Sequence, residues 1–177
     1  MNKTASKRAL LVEITTYIIV PIAFLILSPA LGKYLDYLIL KTKYLFAPNP
    51  IIIIIGILIS LIGLLLVFWT IFLFKRLGRG TPNPTVPPKE LVTKGPYKIV
   101  RNPMALGGAI LLFGEVVIYY SLSLLLLTIL YMIILYLNAI FVEEPELKKR
   151  FGHSYKQYLK EVPRFFPNIF KLIHTKP

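Results

Sequence analysis

Two short stretches of the 177-residue chain bring together side chains able to bind and orient charged groups. In LVTKGPYKIVRNPMALG, from Leu91 to Gly107, Tyr97, Arg101, Asn102 and Pro103 lead directly into an apolar run. The second stretch places three carboxylates within four residues, Glu143, Glu144 and Glu146, at the end of another apolar run in a chain of net charge +13. A purely structural reading has the glutamates flanking one helix and starting the next, paired with Lys148 or Arg101. It makes Arg101 a snorkelling headgroup anchor and Tyr97 a member of the aromatic belt. A third candidate is Glu115, an ionisable residue inside an apolar run, where its cost marks it for function.

Other chemistries lack their residues. With no cysteine there is no thiolate nucleophile, thiolate metal site or disulfide framework. No serine, histidine and aspartate constellation has recognisable context, and His153 and His174 lie in the C-terminal tail, where solvated histidines are ordinary. The GRG at 78 to 80 follows an apolar helix rather than a strand and lacks the third glycine of a dinucleotide fingerprint, so it is read as the end of that helix.

The elements that position these residues are membrane helices. Hydrophobic residues make up 56% of the chain, more apolar surface than a soluble domain of this size requires. Four runs are long enough to approach the ~30 Å of a bilayer core. They are Ala9 to Leu31, with Glu13 near its start and Pro21 and Pro29 as kinks; Pro50 to Phe74, free of charge; Met104 to Tyr120; and Leu122 to Val142. The last two form a helical hairpin over 104–142, turned at Ser121 and Ser123. Gly107, Gly108 and Gly114 permit close approach of a neighbouring backbone. After Val142 the EEPEL run reads as a helix break and restart at Pro145. The restarted helix puts Leu147, Phe151, Tyr155, Tyr158 and Val162 on one stripe, the pattern of an interfacial amphipathic helix. The expected fold is therefore an all-α integral membrane protein of about four transmembrane helices plus a C-terminal amphipathic helix.

Charge placement orients it. The N-terminal arm, the segment 75–103 and the C-terminal tail carry 18 of the 21 lysines and arginines, and the first loop only Lys33, Lys41 and Lys43. The positive-inside rule places both termini and both chemical stretches in the cytoplasm. Anionic lipid headgroups, not nucleic acid, are the expected partner of so basic a chain. The Pro- and Gly-rich segment 75–103 is expected to wrap over the helices without regular structure.

LVTKGPYKIVRNPM, the helical hairpin, EEPELKKRFGHSYKQY and VPRFFP, in this order and spacing from Gly80 to Pro167, resemble the membrane methyltransferases of the isoprenylcysteine carboxyl methyltransferase and phospholipid methyltransferase group. The resemblance implies an S-adenosylmethionine pocket formed by Lys89, Glu90, Leu91, Val92, Tyr97, Asn102, Pro103, Met104, Ala105 and Glu143. Arg101 and Glu144 are weaker candidates for a part in the chemistry. It divides the chain into N-terminal helices (1–79) and a methyltransferase-like region (80–177). It also implies a lipophilic or lipidated substrate, with carboxyl O-methylation first and phospholipid N-methylation second. Asn102 and Ala105 stand where the carboxyl methyltransferases have histidine and tyrosine, and Ala139 where the eukaryotic enzymes have an arginine. Two other readings compete: an NADPH-dependent membrane reductase, with Lys89 and Lys94 as phosphate contacts, and a non-enzymatic membrane scaffold.

Overall fold

A computed structural model describes residues 20–41, 49–79 and 88–166, and these are helical with connecting turns. Helix α1 spans Val20–Leu35 and continues as a π-turn, Asp36–Leu40. Helix α2 spans Pro50–Leu73, with a π-turn at Phe74–Gly78. After a short 3-10 turn at Gly95–Lys98 come α3, Pro103–Tyr119, and α4, Leu122–Asn138. A third π-turn, Ala139–Glu143, joins α4 to α5, Glu144–Glu161.

The ends follow local chemistry. Pro50 opens α2, and the side chain of Asn49 accepts from the N–H of Ile51 at 2.9 Å. Tyr120 in the left-handed conformation ends α3, and Ser121 caps α4 by accepting from the N–H of Leu124 at 3.0 Å. Asp36 reaches across from α1 to accept from the N–H of Ser123 at 2.9 Å, so two side chains satisfy the start of α4.

Helix α3 packs on α1, α2 and α4, and α1 packs on α4 as well. The α2–α3 seam is closest. A Cβ added to Gly63 would collide with the backbone of Leu111 and Gly107, and one added to Gly114 with Ser60 and the carbonyl of Gly56. Apolar side chains on the other faces of α2, among them Ile54, Leu58, Ile62 and Leu65, are exposed. Exposed aliphatic faces over glycine seams are the arrangement of helices in lipid, where contact between backbones replaces hydrophobic association. Two helical stretches, Pro50–Gly78 and Leu122–Glu161, are long and apolar enough to cross a membrane; α3, with 17 residues, is a shorter apolar helix.

Three features depart from expectation. The start of the first run lies outside the described residues, but α1 does not stop at Leu31: it carries Lys33 and Asp36 within helix, because Asp36 finds its partners on α4. There is no break at EEPEL. The π-turn absorbs Pro145 by adding a residue to the turn, which relieves the ring's clash with the preceding carbonyls. The break comes later, at Gly152, whose φ of 53° and ψ of −120° suit glycine alone. Finally, the stripe on α5 faces protein: Tyr155 and Tyr158 are 2% and 7% exposed and pack with Val162 against Leu91, Leu147 and Phe151.

Candidate functional site

A cavity of about 340 Å³ lies where the segment after Pro88, the start of α3, the end of α4 and the buried stripe of α5 converge. This volume falls within the roughly 300–1,000 Å³ range of small-molecule sites. Both stretches that the sequence singles out give polar residues to its wall, Tyr97, Arg101 and Asn102 from the first and Glu143, Glu144 and Glu146 from the second.

Backbone contacts hold the first stretch. The N–H of Arg101 donates to the carbonyl of Pro163 at 2.8 Å, and that of Asn102 to the carbonyl of Arg164 at 3.1 Å. This pairing sets two arginines around one carboxylate. Arg101 Nη1 donates to Glu144 Oε1 at 3.0 Å, while Arg164 donates from Nε to Oε1 at 2.6 Å and from Nη2 to Oε2 at 3.2 Å. Glu144 is 7% exposed and its charge is fully engaged. Two guanidiniums on one carboxylate leave a net positive charge at this wall, and the buried Nε of Arg101 has no hydrogen-bond partner.

Glu143, one residue earlier, has the opposite environment. Its Oε1 accepts from Asn138 Nδ2 at 2.7 Å, and none of the described arginines or lysines forms an ion pair with it. Burial pushes its carboxyl above the ordinary value of 4.5, the Asn138 hydrogen bond pulls it back, and the charges of Glu144 and Glu146 push it up again. Glu143 is a carboxylate held in a cavity without a countercharge. Such a group stabilises a ligand's positive charge.

Tyrosines form the floor. Tyr97 is 6% exposed, meets Phe74 edge-on at 5.6 Å, and accepts at its backbone carbonyl from the Tyr158 hydroxyl at 2.7 Å. Burial raises the Tyr97 and Tyr158 phenols and takes that of Tyr155 up to about 12. They stay protonated at physiological pH and offer ring faces and O–H groups, not bases.

Of the ten residues expected at the pocket, Glu90, Leu91, Val92, Tyr97, Asn102, Met104, Ala105 and Glu143 line this cavity. Lys89 and Pro103 do not. Lys89 is exposed and anchors the loop through its N–H to the carbonyl of Gly78 at 2.7 Å, and Pro103 is buried as the first residue of α3. Arg101 and Glu144 line the wall as an ion pair. Glu115 lies elsewhere, on α3, where Ser28 of α1 donates to its Oε2 at 2.6 Å. Sequence reasoning missed Tyr131, Leu135 and Asn138, which face the cavity from α4, and Val142, which faces it from the π-turn that follows. Their spacing of three to four residues is a helical stripe, and an asparagine at the end of an apolar run was the available signal.

The cavity thus has an anionic wall at Glu143, a cationic wall at Arg101 and aromatic and aliphatic surface between. These donors fit S-adenosylmethionine, which carries an ammonium, a sulfonium, a carboxylate and an adenine. The sequence model of the family described as phospholipid methyltransferase matches residues 51–154. This match covers more than half of the chain, and the chain belongs to that family of membrane methyltransferases. No curated protein matches the chain.

Proposed function

We propose that the chain is an S-adenosylmethionine-dependent methyltransferase acting on a lipophilic acceptor at the cytoplasmic edge of the membrane. The observation that carries this reading is the polarity of this cavity, with Glu143 lacking a cation on one wall and Arg101 Nε lacking an acceptor on another. Glu143 and the face of Tyr97 would balance the cofactor's positive charges. Arg101, Asn102 and the free N–H groups at the start of α3, at Met104 and Ala105, would receive its carboxylate. Glu90, Leu91 and Val92, beside Tyr155 and Tyr158, would enclose the adenine, with Lys89 and Pro103 fixing the loop and helix that carry them. When bound, the cofactor supplies an electrophilic methyl group. The chain's part is to align it with an acceptor and exclude water, which requires no general base on the protein.

Carboxyl O-methylation is the first reading of the acceptor, since Arg101 also gives a carboxylate acceptor a countercharge. N-methylation of a phospholipid amine is the second, supported by the family's description and by the anionic wall at Glu143 and Glu146. In this reading four helices cross the membrane, residues 1–79 supply the first two, and 80–177 carry the site. The termini, the segment 75–103 and the lysine-bearing face of α5 meet cytoplasmic headgroups.

Equilibrium binding to the detergent-purified protein tests the site. S-adenosylmethionine is expected to bind and NADPH not, and Glu143→Gln and Tyr97→Ala are expected to abolish binding while the protein still folds. Retained binding in both variants rejects the pocket. Transfer of a labelled methyl group to a membrane lipid extract then separates the acceptors, because methyl esters release methanol in alkali and N-methyl groups do not.

A further inference from the structure

Asn138 and Glu143 are five residues apart on one continuous helix. In a regular α-helix that spacing leaves two side chains about 140° apart, too far round to meet. Here they are joined by a 2.7 Å hydrogen bond, and the cause is the π-turn at Ala139–Glu143, closed by the N–H of Glu144 on the carbonyl of Ala139. The extra residue in the turn brings positions 138 and 143 into line. It also sends the next carboxylate, Glu144, to Arg101 and Arg164. Single π-turns within α-helices are rare and concentrate at functional sites.

The groups around Glu143 make the asparagine necessary. Glu144 and Glu146 on α5 are like charges. The phenols of Tyr97, on the segment before α3, and Tyr155, on α5, are neutral, and Arg150 is held by Glu146 and the carbonyl of Pro88. Arg101 and Arg164 are taken by Glu144. Asn138 Nδ2 is the hydrogen-bond donor that the described residues offer Glu143.

We infer that Asn138 is a positioning residue, which the π-turn brings to one oxygen of Glu143 so that the other is aimed at the positive charge of the bound cofactor. This rests on the reading of Glu143 as the cofactor's anionic partner. The test is equilibrium binding of S-adenosylmethionine to the detergent-purified full-length protein from pH 5 to pH 9, for the wild type, Asn138→Ala, Asn138→Asp and Glu143→Gln, with thermal unfolding of each. Removing a hydrogen bond to a charged group is expected to weaken binding of Asn138→Ala about tenfold or more at pH 7. The rise of affinity with pH should also move upward, because a carboxyl without its donor holds its proton to higher pH. Asn138→Asp, which sets a second carboxylate against Glu143, should bind more weakly still at neutral pH. Should Asn138→Ala not fold, Asn138→Leu, of equal size, must show the same upward displacement. A wild-type profile in the Asn138 variants, or an equal loss at every pH, overturns the positioning role while Glu143→Gln still abolishes binding. Wild-type binding by Glu143→Gln removes the premise itself and the inference with it.

Discussion

Glu144 accepts three hydrogen bonds from two guanidiniums in a site it shares with little water, so its removal leaves two partly buried cations facing each other. Glu144→Gln is expected to lower stability by about 1–3 kcal/mol, less than the roughly 3–5 kcal/mol for breaking a fully buried pair because water reaches both arginines. Thermal unfolding in detergent checks this, and an unchanged midpoint would show that Arg101 and Arg164 are held without it. Glu143→Gln should behave in the opposite way in the ligand-free protein. A carboxyl whose folded value lies above its ordinary 4.5 is bound more tightly to its proton in the native state, so ionisation destabilises the fold as pH rises through that window. The glutamine variant escapes this cost: its midpoint should match the wild type below pH 4.5 and equal or exceed it at pH 7. The residue types at both positions were legible in the sequence, but which glutamate is engaged and which is free was not. Their partners lie 43 and 20 residues away for Glu144, and the turn that separates their directions is a π-turn with no composition of its own.

The antiparallel seam of α2 and α3 sets where the cavity's α3 wall stands. Gly56 and Gly63 on one helix meet Gly114 and Gly107 on the other, and Ser60 Oγ donates across to the carbonyl of Leu111 at 3.2 Å. A methyl group at Gly63 has only backbone to displace, so Gly63→Ala must force the helices apart. The expected loss is about 1–3 kcal/mol, the range for overpacking a close contact, seen as a lower unfolding midpoint. Ile62→Ala, on the adjacent exposed face, serves as the comparison and should leave the midpoint nearly unchanged. If both variants unfold alike, the seam is not what fixes α3. The glycines of α3 announce a close neighbour in the sequence, and the hairpin with α4 is visible from its serine turn. Their partner on α2 is not, because every residue of that helix except its glycines, Ser60 and Thr70 is uniformly apolar and carries no periodic signal. The amphipathic stripe of α5 was legible as a stripe. Its destination was not, since tyrosine-rich faces suit a membrane interface and a ligand cavity equally well.

Across the molecule, basic residues gather at one end. Arg101 and Arg150 line the cavity and Arg164 pairs with Glu144 on its wall, while Lys33 and Lys41 belong to the end of α1 that meets the turn between α3 and α4, where Lys33 Nζ donates to the carbonyl of Tyr119 at 3.4 Å. The cavity and that turn lie at opposite ends of α3 and α4, which are 17 residues long and so about 26 Å apart by helical rise. That separation approaches the thickness of a bilayer core, with α3 short enough to ask for local thinning or little tilt. The asymmetry of charge supports the proposed sense of insertion, since the seven basic residues between 75 and 103 and the eight from 148 onward far outweigh the three between 33 and 43. The chain has no cysteine, so a single introduced thiol reports its own side without background. Lys94→Cys is exposed beside the cavity and Lys41→Cys is exposed at the far end. In sealed vesicles with the cytoplasmic face inward, an impermeant maleimide should label Lys41→Cys and spare Lys94→Cys until detergent is added. In vesicles of the opposite sense the order should reverse. Labelling of both thiols from one side would mean that the two ends share a compartment, and the cavity would then have to draw both cofactor and acceptor from a protein lying on the membrane rather than crossing it.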